Sequence, residues 1–232
     1  MELVNSKSAT FNGGLSTSTF TVANEPFALT LRGDIAVSNG ISLNNTGLLT
    51  LSGTFATTGN HAIELGHQVG PTTLLVGNTS FNSGTGTTTV NGNISGSAYT
   101  LSFDSPVTFS GESTLTASTV TFNKPVDASN GNLTINGDTA VNGGSVNSDT
   151  FKQIYNGNVT ANSAGNTTFT GRAIEFGYKL DGTHGIYVVD DGITLYKGDI
   201  GTVSAPAHFE TDADGTSVFR GSYVRTNSSH SI

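Results

Sequence analysis

Carboxylates are the residues of this chain whose spacing suits chemistry. Glu210-Thr211-Asp212-Ala213-Asp214-Gly215 sets acidic oxygens at alternate positions and then turns at a glycine. Oxygens so placed can converge on a hard cation, which makes Glu210, Asp212 and Asp214 the candidate ligands of a calcium ion. The segment lacks the longer acidic series and distal glutamate of a helix-loop-helix calcium site, and a solvated acidic turn is the plainer reading. Asp190 and Asp191 stand before the unit that holds Tyr196. Glycoside cleavage needs two carboxyl groups flanking one bond. Asp199 and Asp212 are the pair that neighbouring coils can bring to one side, yet no spacing fixes their distance. A polysaccharide lyase or hydrolase is therefore the lesser reading, and no catalytic residue is assigned.

The five histidines form no set. His61 and His67 are six apart, and an extended Ala62–Leu65 segment places them on the side of Ile63 and Leu65 as a weak metal pair. His184, His208 and His230 are isolated, and no Ser-His-Asp arrangement follows from spacing. Of the six tyrosines, Tyr155 and Tyr196 occupy a repeated position held elsewhere by Phe11, Leu31, Leu51, Phe109 and Phe169, and they are assigned to the core. Tyr178, Tyr187 and Tyr223, with His208, are the candidates for contact with a ligand such as a sugar, on whose face an exposed ring can stack. The glycines lead into strands and not helices, so none forms a phosphate-binding loop.

These side chains hang on a repeating scaffold. An apolar residue, any residue and a glycine recur as Phe11-Asn12-Gly13, Leu31-Arg32-Gly33, Leu51-Ser52-Gly53, Leu75-Val76-Gly77, Val90-Asn91-Gly92, Phe109-Ser110-Gly111, Ile135-Asn136-Gly137, Tyr155-Asn156-Gly157, Phe169-Thr170-Gly171, Tyr196-Lys197-Gly198 and Phe219-Arg220-Gly221. Gly13 to Gly221 is 208 residues in ten intervals, a mean of 20.8, although single intervals run from 14 to 27. Between glycines the pattern alternates, as in Val107-Thr108-Phe109 and Leu133-Thr134-Ile135, with apolar residues on one face and threonine on the other. No window keeps helical periodicity. A hairpin sandwich would also alternate, but it does not require one motif per coil. A solenoid does, because equivalent residues of successive coils stack. The expected fold is all-β, a right-handed parallel β-helix of about eleven coils of ~20 residues, forming a single domain over residues 1–232. At ~4.8 Å per coil the rod is about 50 Å long. Comparing Tyr155-Asn156-Gly157 with Tyr196-Lys197-Gly198 puts nine extra residues in the later copy, read as a projecting loop insertion at 201–214.

Composition sets further bounds. Hydrophobic residues are 34% and charged residues 11%, both low. The net charge is −8 and the cations form no run, so nucleic acid is not an expected partner. No cysteine is present, which excludes disulfides and thiolate chemistry. Met1-Glu2-Leu3-Val4-Asn5 does not read as a signal peptide, and no apolar run of the ~20 residues that span a bilayer occurs, so membrane insertion is not expected.

The units from Tyr155-Asn156-Gly157-Asn158-Val159 to Phe169-Thr170-Gly171, and from Val120-Thr121-Phe122 to Ile135-Asn136-Gly137, resemble the repeats of filamentous-haemagglutinin-like adhesins. They are also similar to autotransporter passenger domains. The resemblance runs over residues 10 to 225. It implies a right-handed parallel β-helix on a bacterial surface, with an adhesive or fibre-forming role and no catalytic residue. The Asn-Pro export motifs of such haemagglutinins are missing, as is a following amphipathic barrel segment, which reads as a slice of a longer adhesin or a free-standing subunit. The expected protein is thus a non-enzymatic extracellular or cell-surface structural protein or adhesin. Its expected partners are other copies joined end to end and a glycan or host-surface receptor; its only suspected cofactor is calcium. The alternative is a phage tail-fibre or tailspike-like β-helix that binds or cleaves glycans.

Overall fold

The computed structural model describes residues 1–4, 7–66, 72–212 and 214–227. Among them are 24 β-strands and no helix, and every strand pairing is parallel. Each coil places strands on three faces. One face stacks eleven strands: Ser8–Phe11, Ala28–Arg32, the first halves of Leu49–Thr57, Thr73–Asn82, Ile94–Phe103, Ser113–Phe122 and Leu133–Val141, then Lys152–Tyr155, Ala173–Phe176, Ile193–Tyr196 and Thr216–Phe219. The second halves of the long strands bend round a corner and begin the second face. The third runs through strands such as Val107–Phe109, Thr167–Gly171 and Ile186–Asp190. Partners in neighbouring coils lie 19 to 26 residues apart, as in Leu101 with Val120 and Gly53 with Thr79. This is the β-solenoid that the repeat predicts.

The alternation fills the interior with a single column of apolar side chains from Phe20 to Phe209. Burying an aliphatic or aromatic side chain contributes ~1.5–3 kcal/mol, and here each also supports its equivalents one coil away. Phe55, Phe81, Phe103 and Phe122 stack along the second face at 5.4, 5.6 and 5.5 Å between ring centres. A second ladder, Tyr155, Phe176, Tyr196 and Phe219, occupies the first face at 5.3, 5.4 and 4.7 Å. Phe109 and Phe169 on the third face meet these ladders edge-on. Tyr155 and Tyr196 are therefore core residues, as expected.

Corners are fastened by short polar side chains that reach one coil ahead. Asp34 Oδ1 accepts the Thr54 amide, Asn93 Oδ1 that of Thr114, Asn132 Oδ1 that of Lys152 and Asp138 Oδ1 that of Asn158. Each satisfies a backbone donor that the bend takes out of the sheet ladder. The motif glycine has a related cause on the first face, where coils cross at a corner too close for a side chain.

Two expectations need correction. The repeated motif does not mark one face. Leu51, Ile135, Tyr155, Tyr196 and Phe219 lie on the first face, whereas Val90, Phe109 and Phe169 lie on the third. The short intervals of 14 and 15 are passages from one face to the other, and the long ones are returns. The inserted coil is accordingly less enlarged than nine residues: Leu180 to Ile200 is 20, while Ile186 to Phe209 is 23 and Ile200 to Val224 is 24. Nor do the described residues 201–212 form a free loop. Asp181 Oδ1 accepts the Val203 and Ser204 amides, Ser204 O accepts the Gly182 amide, and Ala205 and Pro206 are buried.

Candidate functional site

Strand Ile186–Asp190 turns Ile186, Val188 and Asp190 inward by its alternation. Asp190 is thus a carboxyl at the interior edge of a corner, 3% exposed. At the corner of the next coil, Asp212 and Gly215 lie against it. Asp212 Oδ1 accepts the Asp190 amide at 3.3 Å, and a Cβ on Gly215 would fall 2.6 Å from Asp190 Oδ2. Asp149, Asp191 and Asp214 join Asp190 and Asp212 around a hollow of about 210 Å³. Burial raises the Asp190 pKa above the usual carboxylate range, and the charges of Asp212 and Asp191 add to the rise; the nearby Thr194 hydroxyl and Gly192 amide act against it.

Asp190 Oδ2 has no hydrogen-bond partner, and neither do the buried Thr194 and Tyr196 hydroxyl oxygens. Burial raises the Tyr196 pKa, the charges of Asp190 and Asp212 add to the rise, and the Ser217 side chain beside the hydroxyl acts against it. The equivalent place two coils earlier is closed. There Gln153 stands where Thr194 stands later, the register running from Gln153 to Ile174 and onward to Thr194 beside Leu195. Gln153 Oε1 accepts the Tyr155 hydroxyl at 2.7 Å, and Gln153 Nε2 donates to Val146 O, Ser148 Oγ and Thr170 O. Replacing Gln153 with Ala is expected to strand the Tyr155 hydroxyl and those acceptors, at about 1–3 kcal/mol for each buried group left unpaired. Thermal melting of Gln153→Ala checks this, and a melting temperature equal to that of the parent would refute it.

The expected site residues do not form one site. Of the predicted calcium ligands, Asp212 and Asp214 reach the acidic corner, but Glu210 points out of the third face and pairs with His208, Nε2 to Oε2 2.9 Å. Among the described residues no three acidic or histidine side chains already converge as metal ligands do. Tyr187 packs against His208, with ring centres 5.5 Å apart, so these two candidates with Glu210 form a small outward cluster. Tyr178 is 61% exposed just beyond strand Ala173–Phe176, and Tyr223 lies elsewhere, beside Gly201, Thr202 and Arg225. Asp199 is not a partner of Asp212: it accepts the Ser222 and Tyr223 amides as one of the corner fasteners. His61 is exposed before strand Ile63–Leu65 and does not share the buried side of Ile63 and Leu65, because the turn ahead of the strand breaks the alternation. His67 lies outside the described residues.

A second feature went unread in the sequence. On the first face one outward column runs Thr10, Thr30, Thr50, Leu74, Ser95 and Thr116. The column beside it holds Thr114 and Thr134 and then becomes Ile154, Glu175, Leu195 and Val218. The small Ala173 lies between Lys152 and Ile193, and the result is an open groove of about 510 Å³ walled by Ile154, Ile193 and Leu195 and rimmed by Lys152 and Arg172. Glu175 at its edge is neutralised by Lys197. The signal was an aliphatic residue, Ile154, where the two preceding coils hold Thr114 and Thr134.

No protein-family model, curated protein or solved structure matches the chain. No helix among the described residues is long and apolar enough to cross a membrane.

Proposed function

We propose that the chain is a rigid, non-enzymatic rod of an extracellular or bacterial-surface structure, serving adhesion or fibre assembly. The observation that carries this reading is the unbroken interior column, which spans the rod and presents a repeated Thr, Ser and Asn exterior along its length. Such a build favours stiffness and lateral contact area over a single enclosed cavity. The resemblance to filamentous-haemagglutinin-like adhesins and autotransporter passengers supports the same reading. Fibre assembly would proceed by end-to-end pairing of coils, extending the parallel main-chain ladder that joins neighbouring coils within the rod. Electron micrographs of the purified chain at rising concentration are expected to show filaments that lengthen. Short separate rods at every concentration would reject the fibre and leave the adhesin.

A second reading, a tailspike-like glycan binder, is favoured by the groove on the first face. Its aliphatic walls can take the apolar face of a sugar ring and its two cations an acidic substituent. Binding screens with neutral and acidic oligosaccharides test it, and chain shortening in the same screen would bring an enzyme back into consideration.

A further inference from the structure

We propose that a divalent cation of the calcium class binds at the acidic corner, held by the carboxylates of Asp190 and Asp212 and closed over by those of Asp191 and Asp214. The site is independent of whether the rod adheres or polymerises. It differs from the calcium set read in the sequence by the loss of Glu210 and the addition of Asp190 and Asp191.

Three observations support it. The first is Asp190 itself: a carboxyl 3% exposed whose Oδ2 has no partner, facing the turn that carries Asp212 and Asp214. A buried acceptor left empty is uncommon in folded proteins and calls for an explanation, of which a bound ion is one. The second is the neighbouring hydroxyl of Tyr196, also buried and unpaired and near enough to feel the charges of both Asp190 and Asp212. The Gln153 and Tyr155 network shows how this fold closes the same position when nothing is to be bound there. The third is charge. Five aspartates line one hollow in a chain where charge is sparse, and none of them has an ion-pair partner.

The polar side chains that line the hollow, five aspartates with Thr150 and Thr170, offer only oxygen, which selects a hard cation over zinc or copper. A water molecule could satisfy the Tyr196 and Thr194 hydroxyls, but it would leave the repulsion among Asp190, Asp191 and Asp212 in place. A divalent ion removes it. Asp190 and Asp212 are already fixed by the strand and by the amide contact between them. Asp191 and Asp214 are exposed and free to swing inward, and the flexible geometry of calcium tolerates ligands gathered in this way.

Terbium luminescence tests the proposal directly, since the chain has six tyrosines and no tryptophan, and Tyr196 adjoins the site. Excitation of tyrosine in the presence of Tb³⁺ is expected to give terbium emission that Ca²⁺ displaces. Asp212→Asn keeps the oxygen that accepts the Asp190 amide, so the corner folds while a charge is lost. It is expected to weaken Ca²⁺ by at least about tenfold, with Asp199→Asn unchanged. Saturating Ca²⁺ is expected to raise the melting temperature of the parent by about 5 °C and that of Asp212→Asn by much less. Absence of tyrosine-sensitised emission overturns the proposal. So does emission that falls equally in Asp212→Asn and Asp199→Asn, which would mark diffuse binding to surface acids.

Discussion

Phe109→Asp is expected to abolish cooperative folding of the rod, while Ser110→Asp leaves the melting temperature within about one degree of the parent. Phe109 is fully buried and sets its edge against Phe103 and Phe122 at ring-centre distances of 6.2 and 6.5 Å. Removing a buried phenyl costs about 3–5 kcal/mol. Placing a carboxylate in the same space adds a desolvation penalty that no neighbour offsets, for the surroundings are Val107, Phe103 and Phe122. The total approaches the entire stability of an ordinary domain. In a solenoid the loss also spreads, because each coil is held by contacts with the coils on either side. Ser110 turns outward. Its amide donates to Val90 O, a backbone bond that any side chain preserves, and surface substitutions of this sort change stability by about 0.5 kcal/mol or less. Circular dichroism melts of the two variants decide the matter. Equal losses would show that inward and outward positions have been exchanged.

That assignment was legible in the sequence because alternation is local. Val107-Thr108-Phe109 states its own inward face, and so do the segments around Tyr155 and Tyr196. The mean coil length was legible too, since adding passages between faces to returns recovers the true period. What could not be read was the face on which each motif lies. Phe169-Thr170-Gly171 and Tyr155-Asn156-Gly157 have one pattern, yet the first stands on the third face and the second on the first. The same blindness split the candidate site. Glu210, Asp212 and Asp214 look alike as alternate acids, but strand Phe209–Thr211 carries Glu210 outward to His208 while the chain after it bends over Asp190. Asp190 meets Asp212 through stacking of coils, a relation between residues 22 apart, and Asp149 joins from two coils before Asp190; both relations depend on the number of residues in each turn. The groove beside Ile154 and Leu195 escaped for a different reason. Aliphatic residues read as core, and only the register against Thr134 shows that these face outward.

The motif glycines carry the second large effect, and the test is Gly137→Val. Gly137 has φ +145°, a conformation that side chains with a Cβ rarely adopt, and a Cβ there would lie 2.0 Å from Ala117 O of the preceding coil. The backbone oxygen cannot move aside alone, because the strand that holds it is paired on both edges, with Ile94–Phe103 and with Leu133–Val141. Relief requires the corner to open and the coils to part locally. That displaces the Asn93 to Thr114 and Asp138 to Asn158 fasteners on either side. A β-branched residue adds two further methyl groups to the clash. Strained backbone costs about 1–3 kcal/mol even without collision, and overpacking adds another 1–3 kcal/mol, so a loss of about 3–5 kcal/mol is expected. Thr134→Val, three residues earlier, serves as the comparison: it lies outward on the same strand at a position that valine suits by β-propensity. Gly137→Val is expected to melt well below the parent and Thr134→Val near it. If both melted together, close approach of the coils at this corner would not be the reason for the glycine, and the repeat would need another physical cause.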